Sequence, residues 1–144
     1  MAIFTFFHEF KRFMGEAAVD LTNHTFKAML TNVAPDALND VVKADITEIP
    51  AGNGYIAGGM TLTSVTWSET GPDLGVWRFD ANDFTWNAVG GDIAPFRYVV
   101  FYDDTTATPA KPLIGFIDYT TSLIVSNGNG FTVDIGIPGI FELQ

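Results

Sequence analysis

Few side chains in this sequence are spaced for chemistry. His8 and His24 are the two histidines, and there is no cysteine, so thiolate metal sites and disulfides are both excluded. Neither histidine sits in an HExxH or HxH pattern, so a histidine-ligated metal has no support in the spacing. Composition leaves a Ser–His–acid triad open, but no GxSxG setting accompanies it. Both histidines read as surface or helix-face residues. The carboxylates Asp36, Asp40, Asp45, Asp73, Asp103 and Asp104 follow turn positions, where aspartate commonly bonds its own backbone. Asp80-Ala81-Asn82-Asp83 offers oxygens at alternate positions but lacks the glycine and distal glutamate of a calcium loop, so it reads as a turn. Glycoside hydrolysis would need two carboxylates at a set separation across a cleft, and no spacing here imposes one. Tyr55, Trp67, Trp77 and Trp86 form a candidate sugar-stacking platform, although strand positions favour burial of Trp77 and Trp86. No cofactor is implied.

The elements that must hold these residues are those of one apolar domain. Hydrophobic residues make up 47% of 144, with 13 Phe, 4 Tyr and 3 Trp, which is incompatible with a disordered chain. Short Thr/Val/Ile/Phe runs punctuated by 14 Gly and 7 Pro point to an all-β fold. The net charge of −10 makes nucleic acid and anionic membrane poor partners. No run approaches the ~18 apolar residues of a membrane span. Lys11 and Arg12 follow the apolar start instead of preceding it, so no secretory signal is expected and the chain is expected to be soluble and cytoplasmic at synthesis.

Pro95–Tyr119 is the organising stretch. Phe96–Tyr102 and Leu113–Ile117 are nearly continuous hydrophobic runs on either side of a Pro- and Thr-rich connection, the pattern of two central antiparallel strands covered on both faces. Residues 3–18 read as an amphipathic helix with Phe6, Phe10, Phe13, Met14 and Ala17 on one face, widened by Phe4 and Phe7. Asn23–Leu30 and Thr61–Trp67 read as strands, and Pro35–Val42 as one helical turn. Between them Ala51–Met60 is a glycine-rich loop around Tyr55. A hairpin is expected around Ala81–Asn82, and another about Ser126–Asn129 with its Asn-Gly turn signal. Ile137–Leu143 closes the chain, with Pro138 favouring an edge. The expectation is one domain over 1–144. A helical amino-terminal arm spans 1–18, and an antiparallel β-sandwich or jelly roll of about eight strands spans 20–144.

Taken in order, His24–Leu30 (HTFKAML), Asn53–Tyr55, Phe79–Trp86 (FDANDFTW), Arg97–Tyr102 (RYVVFY) and Pro112–Asp118 (PLIGFID) resemble small virion proteins of tailed bacteriophages, the capsid decoration or cement type. The resemblance spans about residues 20–135 and rests on strand and turn signatures. It implies a β-sandwich or jelly roll that forms dimers or trimers on the outer capsid surface and bridges neighbouring major capsid protein subunits after shell expansion. It carries over no catalytic or ligand-binding residue. The residues singled out as contact elements are Phe6, Phe7, Phe10 and Phe13 in the arm and Tyr55 in the glycine-rich loop. A phage tail or fibre module, binding glycans through the tryptophans, is the alternative. A hydrolase using two surface carboxylates is the least favoured class.

Overall fold

The computed structural model describes residues 3–70 and 75–144. Asp73, read above as a turn carboxylate, lies outside them. The fold is all-β with antiparallel sheets and one short α-helix. The strands are β1 (Ile3–Phe6), β2 (Phe26–Thr31), β3 (Met60–Thr61), β4 (Thr66–Glu69), β5 (Trp77–Asp80), β6 (Phe84–Asn87), β7 (Ile93–Asp103), β8 (Leu113–Val125), β9 (Gly130–Val133) and β10 (Phe141–Leu143), and the helix α1 is His8–Gly15.

The two hydrophobic runs are the long strands β7 and β8, which pair antiparallel inside a five-stranded sheet of order β1-β8-β7-β2-β3. Their hydrophobicity is continuous because both faces of this sheet are covered. On one face Phe26, Ala28, Leu30, Val99 and Phe101 join a core with Phe10 and Phe13 of α1 and with Phe79, Phe84, Trp86, Val133 and Phe141. Those last five belong to two smaller sheets, β10-β5-β4 and β6-β9. On the other face Phe7, Met29, Tyr98, Val100, Tyr102, Leu113 and Phe116 cluster, with Ala37 and Ile46 packed over them.

Four expectations are corrected. Residues 3–18 are not one helix: Ile3–Phe6 pairs with β8 through the register Ile3↔Asp118 to Phe6↔Gly115, and only His8–Gly15 is helical. The alternation of Phe4 and Phe6 against Ile3 and Thr5 serves a strand, and Gly115 makes room for it. A Cβ at Gly115 would stand 2.4 Å from the Phe4 ring and 2.7 Å from the Thr5 carbonyl oxygen. Thr61–Trp67 is broken, because Ser64 takes φ 51° and the two parts join different sheets. The chain does reverse near Ala81–Asn82, but β5 pairs with β4 and β10 while β6 pairs with β9. For the same reason β8 and β9 make no hairpin across Ser126–Asn129, although Asn129 N–H does bond Ser126 O there at 2.9 Å.

Candidate functional site

The five residues singled out as contacts are mostly core residues. Phe7 is 0% exposed, Phe10 and Phe13 are 1%, and Tyr55 is 2%. Phe6 is half-buried, stacked on Phe10 at 5.7 Å and edge-on to Phe141 at 4.9 Å. The excess of phenylalanine at the amino terminus is absorbed by the chain's own core, so these rings are not offered to a partner from an exposed arm. The stacking platform also separates. Trp86 is buried beside Tyr55, at 6.0 Å between centroids, and only Trp67 and Trp77 stay together near the surface, at 5.6 Å.

Tyr55 instead locks the glycine-rich loop. Its phenol donates to Glu48 Oε1 at 2.6 Å and accepts from Leu30 N–H at 3.0 Å. Glu48 Oε1 also accepts from Gly58 N–H at 2.6 Å, and the Tyr102 phenol donates to Gly58 O. Burial, with Glu48 adding to it, pushes the Tyr55 pKa far above its ordinary range. Glycine is required at two points. Gly59, at φ +81°, would place a Cβ 1.9 Å from Ala28 O, and Gly54, at φ +100°, one 1.9 Å from Asn87 O. Both meet backbone, which cannot yield as a flexible side chain can. Further along, Asn53 O accepts from Val89 N–H at 3.0 Å and Asn53 Nδ2 donates to Asp92 O at 2.8 Å. The loop is thereby fixed against β2 and the segment after β6, and it holds Ile56 outward at 74% exposure; Val89, bonded to Asn53, is 69% exposed. Tyr55→Phe is expected to cost about 2 kcal/mol, since it strands the buried Leu30 N–H and leaves Glu48 Oε1 with Gly58 N–H alone. Urea unfolding reads the stability, and faster amide exchange at Gly58 and Gly59 reads the freed loop.

The second candidate centre is a histidine–aspartate pair that sequence reading missed. His24 Nδ1 lies 2.6 Å from Asp103 Oδ2. Asp103 is 0% exposed, and the His24 side chain is 22% exposed, so it is not the surface residue expected. The same Nδ1 lies 3.3 Å from the Asp20 amide nitrogen, and Nε2 has no partner among the described residues. Asp103 also accepts from Thr105 N–H at 2.8 Å and from the Thr106 hydroxyl at 3.1 Å. The imidazole borders a cleft of about 300 Å³ shared with Met14, Val19, Leu21, Thr22 and Trp67. The Asp20 carboxylate at this cleft is occupied by Thr22 N–H, Asn23 N–H and Asn23 Nδ2. Mechanically, the pair fastens the segment before β2 to the end of β7. Among the described residues no group of three or more His, Asp or Glu is placed to hold a metal ion.

Asp80 bonds its own turn as expected, its Oδ1 accepting from Ala81 N–H at 2.9 Å, whereas Asp83 Oδ1 accepts from the distant Ile135 N–H at 2.8 Å and ties the turn to the segment just after β9. Hydrogen bonds from Asn23 and Asn39 hold Asp20 and Asp36 below the usual carboxylate pKa, the Val42 and Val41 amides do the same for Asp45, and Arg97 does so for Asp118. Groups with depressed folded-state pKa contribute stability that is complete above their unfolded value and is lost as pH falls through the folded one. The urea midpoint is therefore expected to hold steady from neutrality to about pH 5 and to fall once pH drops below the usual 3.8. A midpoint that stays constant or rises through that acid window would contradict this.

No family model matches this chain, and no curated protein or solved structure matches it.

Proposed function

We propose that the chain is a structural virion protein of a tailed bacteriophage, decorating the icosahedral capsid by binding between major capsid protein subunits. The observation that carries this reading is the pre-ordered glycine-rich loop, which holds Ile56 in water at 74% exposure, while Val89, 69% exposed, bonds the loop at Asn53 O. An apolar side chain already fixed in its docking position loses little entropy on binding and suits the dry centre of an interface. The resemblance of the strand and turn signatures to decoration proteins supports the virion assignment. The charge of −10 supports a position away from packaged nucleic acid. The mechanism is mass action: a protein that binds the assembled lattice and not its separated subunits stabilises the lattice.

The contact role thus moves one residue along, from Tyr55, which anchors the loop, to Ile56, which it presents. Replacing Ile56 or Val89 with Asp is expected to lower occupancy on particles at least tenfold, about 1.4 kcal/mol, with unchanged urea stability. Occupancy equal to the parent chain for both variants would remove the loop from the interface.

A further inference from the structure

We infer that β1 pairs with β1 of a second copy across a two-fold axis, joining two five-stranded sheets into one. β1 is the outer strand of its sheet, and its free side is unusually open to another strand. Phe7 N–H bonds Ile114 O at 3.1 Å, in line with the register that pairs Thr5 with Phe116. Alternation along an antiparallel ladder then turns the N–H and C=O groups of Phe4 and Phe6 away from β8. Neither residue's main chain has another partner among the described residues. Exposed edges in stable monomers are ordinarily shortened, charged or interrupted by proline. The opposite edge of the same sheet, β3, is two residues long, and the outer strands β4 and β10 of a smaller sheet carry Glu69 and Glu142. Ile3–Phe6 is four residues of IFTF with neither charge nor proline.

A second copy fits this edge better than an unrelated strand. Centred on Thr5, an antiparallel β1–β1 pairing sets Phe4 opposite Phe6 of the other copy and Phe6 opposite its Phe4. All four outward groups on each strand are then satisfied by one self-complementary arrangement, as two-fold contacts require. Two copies of a chain with charge −10 repel over most of their surfaces, and an uncharged edge is where they can meet. Ile3, 58% exposed, lies on the paired strand, and Ile137, 86% exposed, lies next to Pro138, which borders a groove with Phe4. Both add apolar area at the margin of the contact. The pairing does not depend on where in a particle the chain is used, and capsid binding by a monomer would leave the proposed function standing while removing this one.

Sedimentation equilibrium of the full chain tests it, together with amide exchange followed residue by residue. The mass is expected to climb from 15.7 kDa toward twice that value with concentration, and Phe4 and Phe6 amide protection should rise in parallel. Ile3→Lys, a charge on the edge that spares the core, should return the protein to monomer with an unchanged circular dichroism spectrum. Three results would overturn the pairing: a monomer mass up to millimolar concentration, a dimer indifferent to Ile3→Lys, or Phe4 and Phe6 protection independent of concentration.

Discussion

Removal of residues 1–18 is expected to unfold the domain, not to free it of a docking arm. The deletion takes away β1 and its four-residue ladder to β8. It also takes Phe7, Phe10 and Phe13, all at most 1% exposed, with the rings of Phe4 and Phe6 that pack on Phe101 and Phe141. Full burial of one such side chain contributes about 1.5–3 kcal/mol, so the loss rivals the ~5–15 kcal/mol that holds an ordinary domain together. The single substitution Phe10→Ala isolates the effect. Phe10 stacks on Phe6 and meets Phe141 edge-on at 5.7 Å, and its truncation should lower urea stability by about 3–5 kcal/mol. A truncated chain that retains a cooperative unfolding transition would show that the amino-terminal segment is an accessory after all.

Asp103→Ala is expected to have an effect of similar rank through a different cause. The buried carboxylate is the shared partner of His24, Thr105 and Thr106, and without it the His24 ring and the Thr105 N–H lose the group they bond. Leaving buried groups without their hydrogen-bond partner costs about 1–3 kcal/mol each, and with several groups sharing this acceptor the loss is expected to be about 3 kcal/mol. The loss should be accompanied by faster proteolysis between Ala18 and Thr25, the segment that Asp103, Thr105 and Thr106 tether through His24, Thr25 and Ala18. His24→Gln should cost less, because Asp103 keeps its Thr105 and Thr106 donors. Equal stability of the Asp103→Ala and parent proteins would mean that the pair carries no structural load.

The contrast between these residues shows what the sequence made legible. Phe96–Tyr102 and Leu113–Ile117 were readable as central strands because burial on both faces writes itself as uninterrupted hydrophobicity. Turn chemistry was readable too, from Asp80 to Asn129. Pairing was not, since a turn residue reports that the chain reverses and not which strand receives it. β5 and β6 flank one turn yet enter different sheets. At the amino terminus two periods competed: Phe6, Phe10 and Phe13 match a helix, while Ile-Phe-Thr-Phe alternates as a strand, and pairing with β8 decided for the strand over Ile3–Phe6. His24 and Asp103 are 79 positions apart, and nothing local links them. Their meeting follows only from the register of β2 on β7, in which Phe26 stands opposite Asp103. Tyr55 was correctly tied to the glycine-rich loop, but its hydroxyl bonds Glu48 and Leu30 inside the fold, so the exposed residue is the next one, Ile56.

Co-sedimentation of the purified chain with expanded capsids that lack it tests the central claim most directly. Decoration predicts saturable binding with a fixed number of copies per capsomer and a matching rise in the temperature at which the capsids disrupt. Absence of binding at chain concentrations well above capsid-subunit concentration, with the chain folded and the capsids intact, would contradict the decoration role.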